Sequence, residues 1–308
     1  MLHTFCMQRI RIATRKSPLA LWQSQHVADC LRAIYPELVV ELIPISTRGD
    51  SILDRPLAQI GGKALFLKEL EQALIDKTAD CAVHSLKDVP VDESSVFCLP
   101  AVLVRDDPSD AFVCPHFSDL NDLPPHSRVG TSSVRRQALL RALRSDLHIV
   151  NLRGNVNTRL AKLHDKQYEA IIVACAGLRR LDFAQHIAKQ LPLANWPCAP
   201  GQGAIAVQCL QDASADLLGT LMKLEHAPTR EAITAERAMS RALGGSCHAA
   251  VGAYAFRNAN GLCLHGMVGH ALEGVVLRAW DCVAYDPQCL GEMVAEQLMR
   301  SGALRLLR

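Results

Sequence analysis

Arg9-Ile-Arg-Ile-Ala13, then Ser17-Pro18 and the run from Leu19 to Ile34, set the terms on which this chain folds. The first five residues read as a strand. Ser17 is placed to cap a helix, with Pro18 at its first position, where a missing N–H does no harm. Leu19, Trp22, Val27, Leu31 and Ile34 recur at helical spacing, and Pro36 ends the pattern. A second strand is expected at 39–45, a helix from about 63 to 76, and a third strand at 80–84. This β-α-β-α-β order predicts a mostly parallel sheet with helices on both faces.

The same rhythm returns from about residue 128, as strand, helix 132–144, strand 148–152, helix 155–165 and strand 170–174. Between the α/β units and the last third lies Asn195-Trp-Pro-Cys-Ala-Pro-Gly-Gln-Gly203, a turn-rich stretch that suggests a crossing between domains, followed by a strand at 205–209. The last third differs: a helix at 229–243, strand-like runs at 251–257, 262–268 and 275–285, and a closing helix at 288–300. Strands in sequence with helices at the ends predict an α+β domain with a three-stranded antiparallel sheet.

The chain has 308 residues, enough for two or three domains, and a net charge of only +2, so its arginines are local concentrations balanced elsewhere. Aromatics are 5%, few for the basic face with interleaved rings that nucleic-acid binders show. No apolar run approaches the roughly 20 residues of a membrane span. The stretch from Met1 to Ile12 has no apolar core of a secretory signal, so a cytoplasmic location is expected. The twelve cysteines are scattered from Cys6 to Cys289 without metal-type spacing. They are expected to be reduced thiols, most of them small core residues such as Cys81, Cys98, Cys175 and Cys209, with neither disulfides nor a metal site.

Two loop-to-helix junctions concentrate the polar chemistry: Gly130-Thr131-Ser132-Ser133-Val134-Arg135-Arg136-Gln137 and Asn151-Leu152-Arg153-Gly154-Asn155-Val156-Asn157-Thr158-Arg159. Helix starts carry unpaired N–H donors and the positive dipole end, and arginine adds a planar fork for carboxylates. Lys87-Asp88, in Val83-His84-Ser85-Leu86-Lys87-Asp88-Val89-Pro90, puts a carboxylate at a strand end, where open α/β sheets place their ligands. A carboxylate beside anion-binding groups points to acid–base chemistry on an acidic substrate.

In order along nearly the whole chain, Ala13-Thr-Arg-Lys-Ser-Pro-Leu-Ala-Leu-Trp22, Thr47-Arg-Gly-Asp50, Gly61-Gly-Lys63, the Lys87-Asp88 run, both arginine junctions, Ala174-Cys-Ala-Gly-Leu-Arg-Arg180 and Ala199-Pro-Gly-Gln-Gly203 resemble the porphobilinogen deaminases, also called hydroxymethylbilane synthases. The resemblance implies two α/β domains similar to type II periplasmic binding proteins, 1–103 with a return segment at 204–222, and 104–203, followed by an α+β domain at 226–308. It implies a monomeric transferase that condenses four porphobilinogen molecules head to tail with loss of ammonia and releases a linear tetrapyrrole by hydrolysis, acting without metal, membrane or nucleic acid. It assigns the proton chemistry to Asp88. A covalent dipyrromethane cofactor, two substrate units acting as primer, is implied on Cys247 through a thioether.

Residues implied to hold the cofactor are Asp50, Ser85, Lys87, Thr131, Ser132, Ser133, Arg135 and Arg136. Those implied to hold substrate are Arg15, Ser17, Arg153, Arg159, Arg180 and Gln202. The cofactor loop departs from the family's Gly-Gly-Cys-Gln-Val-Pro at Ser246 and at His248-Ala249-Ala250. Read from residue types alone, a non-catalytic solute-binding or effector-sensing module and a cysteine-nucleophile acyltransferase are the alternatives. The first lacks a helix-turn-helix extension and the second a convincing Cys-His pair.

Overall fold

A computed structural model describes residues 7–47, 49, 67–92, 94–245 and 249–307. The chain divides into two compact units, exchanging between them after Arg105, after Gly203 and after Arg230.

The first unit is built on a five-stranded sheet. Strands β1 (Arg9–Arg15), β2 (Val39–Ile45) and β3 (Cys81–Ser85) run parallel, in the order β2-β1-β3. Ser17 caps helix α1 (Pro18–Ile34) with Pro18 in the first turn, as its sequence dictates. Beyond β3 the sheet departs from the parallel expectation. Strand β4 (Phe97–Val102) lies at the edge, and β10 (Ile205–Leu210) runs antiparallel between β3 and β4. The cause is connectivity: β10 enters from the turn-rich stretch ending at Gly203, not from a crossover helix.

Alternation along the strands sends two sets of side chains to opposite faces. Ile10, Ile12, Cys81, Val83, Val207 and Cys209 pack with Val27 and Leu31 of α1 and with Leu217 and Leu221 of a later helix (Ala215–Met222). Ala13 and Ala82 turn the other way and meet Leu70, Ala73 and Leu74 of α2 (Lys68–Ile75).

The second unit contains two sheets. In the first, β6 (Arg128–Gly130), β7 (His148–Val150) and β8 (Ala170–Ala174) are parallel, and β5 (Asp110–Val113) runs antiparallel beside β8, with the two-residue β9 (Lys189–Gln190) at the edge. Helix α3 (Val134–Leu143) covers one face through Leu139 and Leu140. On the other face lie α4 (Val156–His164), through Leu160 and Leu163, and the short α5 (Cys175–Arg180), through Leu178.

The second sheet is the antiparallel meander β11 (Ala250–Asn258), β12 (Gly261–Gly269) and β13 (Val276–Val283). Its apolar face packs on α7 (Ala227–Ala242) and α8 (Pro287–Arg300); α6 is the earlier helix Ala215–Met222. At one end Gly252 lies so close to the Pro197 carbonyl and the Arg135 side chain that a Cβ there would meet the carbonyl at 2.7 Å. Met267 of β12 joins the core under α3.

One sequence expectation fails here. Cys263 and Cys282 form a disulfide, with 19 residues of separation. They face each other across β12 and β13. Spacing along the chain holds no sign of this; the pairing register of the meander creates it. Cys81, Cys175 and Cys209 are buried free thiols, as expected of core residues. Among the described residues no helix is long and apolar enough to cross a membrane.

Candidate functional site

In the first unit the sequence-predicted residues gather at the carboxyl ends of β1 and β3. Arg15 is the last residue of β1, and Ser17 follows it, its hydroxyl accepting the Ala20 N–H at 3.4 Å as the cap of α1. After β3 the chain makes one 3-10 turn, Leu86–Asp88. Two features fix this turn. Leu86 is buried with its N–H on the Ala204 carbonyl at 3.0 Å, and the Val89 N–H returns to the Leu86 carbonyl at 3.0 Å. Lys87 and Asp88, between these anchors, are left half-buried at the sheet's end. Ser85 is held from α1 by Gln23, whose amide donates to its hydroxyl at 2.8 Å.

Beneath the turn lies a polar line absent from the sequence prediction. His84 is buried, and burial lowers its pKa to about 4, against its bond to Gln208 and the pull of Asp88, while Arg15 adds to the lowering. Its Nε2 is 2.9 Å from Gln208 Oε1, and the Gln208 amide donates to Glu71 Oε1 at 3.0 Å.

In the second unit the two arginine junctions lie side by side because β6 and β7 are adjacent. Ser132 ties them together: its hydroxyl donates to the Leu152 carbonyl at 2.9 Å and accepts the Leu152 N–H at 3.0 Å. Thr131 is buried, accepts the Ser133 N–H at 3.2 Å and donates its own N–H to the Val150 carbonyl at 2.9 Å. Ser133 caps α3, accepting from Arg136 N–H at 3.4 Å, and Asn155 caps α4, accepting from Thr158 N–H at 2.9 Å. The hydroxyls of this run therefore shape two helix starts. Gly154, at φ +112, makes the bend into α4, and Arg159 Nε donates to its carbonyl at 2.8 Å. Burial lowers the pKa of Arg153, so its charge sits where an anionic partner is favoured.

The paired arginines do something residue types could not reveal. Both turn inward onto Asp110, which opens β5. Arg135 Nη2 reaches Asp110 Oδ2 at 2.7 Å and Arg136 Nη2 reaches Oδ1 at 2.6 Å. Trp196 Nε1 and Gln202 Nε2 complete the shell, each at 2.8 Å. Burial would raise this carboxyl's pKa, but Arg135 and Arg136 outweigh it and hold the group far below the usual carboxylate range. The other Nη atoms donate to the carbonyls of Pro197 and Ile172. Arg180 is drawn inward too: its Nη2 donates to the Gly203 carbonyl at 2.6 Å, and its Nε lies 3.5 Å from Asp106. Burial lowers its pKa while Asp106 opposes.

Sequence reading thus found the arginines and missed their counter-charges. The available signal was Asp110 itself, a carboxylate opening the apolar run Ala111-Phe112-Val113. Asp50 and Cys247 lie outside the described residues. Among the described residues no group of three His, Cys, Asp or Glu side chains is placed to hold a metal.

Comparison with known proteins accounts for both units. Residues 10–216 match the family model described as porphobilinogen deaminase, dipyromethane cofactor binding domain, and residues 230–300 match the model of the porphobilinogen deaminase C-terminal domain. A porphobilinogen deaminase of Stenotrophomonas maltophilia is 55% identical over 303 residues, 98% of this chain and 99% of the relative. Those of Xanthomonas euvesicatoria and Xylella fastidiosa are each 54% identical with the same coverage. Among solved structures, a nutrient-binding protein of Burkholderia cenocepacia bound to methionine is a loose likeness, at 12% identity and a TM-score of 0.44 over 72% of this chain and 93% of that one. The ordered motifs, the Leu86–Asp88 turn and the two arginine junctions therefore stand inside a full-length match, and the chain belongs to the porphobilinogen deaminase family.

Proposed function

We infer that the chain is a hydroxymethylbilane synthase, a transferase of tetrapyrrole biosynthesis that condenses four porphobilinogen molecules and releases the linear product by hydrolysis. The observation that carries this is the match at 55% identity over 98% of the chain. The Lys87-Asp88 pair on its anchored turn supports it.

Within that activity we propose that Asp88 does the proton chemistry. Porphobilinogen must lose its aminomethyl nitrogen as ammonia, breaking a C–N bond and leaving a cation. A carboxylate beside the pyrrole N–H balances that charge, and it then takes up the proton the coupled ring must shed. Arg15 and Ser17 would orient the incoming ring's carboxylates from the end of β1, and Arg153, Arg159, Arg180 and Gln202 those of the growing chain. The deaminase family carries dipyrromethane, which when bound supplies the pyrrole carbon that accepts the first substrate unit.

The residues present suit such a group. The Nε atoms of Arg135 and Arg136 are buried with no hydrogen-bond partner among the described residues. A buried donor without an acceptor is costly, and the acetate and propionate of a dipyrromethane are acceptors of the right charge. Arg135, Arg136, Thr131, Ser132, Ser133, Ser85, Lys87 and Asp50 would hold it, with Cys247 as its covalent anchor through sulfur. The three-domain division at 1–103 with 204–222, 104–203 and 226–308, a monomeric state and a cytoplasmic location belong to the same proposal.

Intact-mass measurement of the purified protein, followed by peptide mapping, tests it. A two-pyrrole adduct on the Cys247 peptide is expected; active protein with no adduct, or with the adduct on another cysteine, refutes the cofactor assignment. On adduct-bearing protein, Asp88→Asn should bind porphobilinogen yet turn over at least about 100-fold more slowly. Near-normal turnover would remove Asp88 from the chemistry.

A further inference from the structure

The line Glu71–Gln208–His84 is an unusual thing to find in the apolar layer beneath α2. Its neighbours there are Ala82, Leu70, Ala73 and Leu74. Gln208 is buried on β10 opposite Ala82, two register positions along from the Ala206–His84 pair and on the same face. Polar groups are kept in such a layer only when every atom is satisfied.

The hydrogen bonds impose a direction. Glu71 is a carboxylate, so Gln208 must turn its NH2 toward it, and the 3.0 Å contact is that donation. The amide oxygen is thereby presented to His84 Nε2 at 2.9 Å. An amide oxygen only accepts, so His84 must carry its proton on Nε2 and leave Nδ1 bare. The charged groups acting on the imidazole are Asp88 from the turn, which favours protonation, and Arg15 from the end of β1, which opposes it. Glu71, from α2, is insulated from the ring by the neutral amide.

We propose that His84 is a positioning residue for Asp88: Glu71 and Gln208 fix its proton on Nε2, and its burial in the apolar layer disfavours a second proton, so that no imidazolium forms beside Asp88 to pair with its carboxylate. The consequence follows from charge alone. An imidazolium next to Asp88 would lower its basicity and would repel the cation that forms when ammonia leaves. A neutral ring leaves that carboxylate as the counter-charge the reaction meets. This rests on the reading of Asp88 as the reacting carboxylate.

Two measurements on the cofactor-bearing protein test it. Long-range 15N–1H correlation, with His84→Gln identifying the signal, should show His84 protonated on Nε2 only and unchanged from about pH 8 to about pH 6, the range in which an ordinary histidine titrates. A titration there, or a proton on Nδ1, overturns the proposal with no variant of Gln208 needed. Gln208→Glu then replaces the insulating amide by a carboxylate against Nε2, which should bring His84 protonation into that range. The ratio of variant to wild-type kcat should fall at least about tenfold between about pH 8 and about pH 6, with an inflection matching the His84 titration seen by NMR. A ratio that stays flat while His84 protonates overturns the proposal, because a merely structural residue would lower stability without bending the pH profile. Failure of the Asp88 reading is a separate result, near-normal turnover of Asp88→Asn.

Discussion

Replacing Asp110 by Asn tests the reading of the buried arginine pair as a charge-balanced clasp. The substitution keeps the shape of the side chain and changes one oxygen into an NH2 group. Asp110 accepts four hydrogen bonds, from Arg135 and Trp196 on one oxygen and from Arg136 and Gln202 on the other. Whichever way the amide turns, two donors lose their acceptor and two buried guanidinium groups lose their counter-charge. Bonds to charged groups are worth about 1.5–3 kcal/mol each, and breaking one side of a buried ion pair costs about 3–5 kcal/mol. Both routes lead to the same expectation, a loss of about 3–5 kcal/mol.

Urea unfolding followed by tryptophan emission reads this directly in the second unit. Of the three tryptophans only Trp196 is buried, whereas Trp22 and Trp280 are exposed. The pH dependence has a defined sign. The carboxyl's pKa is lowered in the folded protein, so its contribution is complete above the unfolded value, about 4, and falls as pH drops below it, by about 1.4 kcal/mol per pH unit. The gap between wild type and Asp110→Asn should therefore narrow in acid. A loss under about 1 kcal/mol at neutral pH, or a gap that is constant down to about pH 3, would refute the reasoning.

Two further outcomes follow from the same geometry. Arg153→Ala removes a guanidinium whose burial favours an anionic partner, and at about 1.5–3 kcal/mol for a charge-assisted bond kcat/KM for porphobilinogen should fall about tenfold or more; unchanged kinetics would make this arginine structural. Gly203→Ala would place a Cβ 2.5 Å from the Asp106 backbone oxygen at a φ of +86, so thermal unfolding should show a loss of at least about 2 kcal/mol, and a neutral result would mean that this turn relaxes freely.

What the sequence disclosed and what it hid divide along a physical line. Local chemistry was legible. Ser17-Pro18 announced α1, Ser133 and Asn155 fell at helix starts, and strands at 39–45 and 170–174 took the expected bounds. The strand-like run around Cys98 was legible but its place at the sheet edge was not, and β5 was hidden by the charge that opens it. The direction of Arg135 and Arg136 depends on an acid 25 and 26 residues away in sequence. That relation exists only once β5 lies beside β8. The Cys263–Cys282 bond is likewise a product of strand register. The Glu71–Gln208–His84 line joins residues from a helix and two strands that no spacing connects.

The place of β10 in the first sheet also sets a schedule for synthesis. β3 and β4 are made by residue 102, but the strand that separates them begins at Ile205. A ribosome adding about 5–20 residues per second needs on the order of 5–20 s to make the intervening hundred residues. During that interval the growing polypeptide carries two strands with no partner between them, each an open edge that another chain could join. Much of the intervening segment, from Asp106 to Gly203, brings its own five-stranded sheet to completion in the meantime. The enzyme's first sheet can therefore close only after a later one is already complete, which makes the stretch of translation between these two events the period of greatest exposure to misassociation and to chaperones.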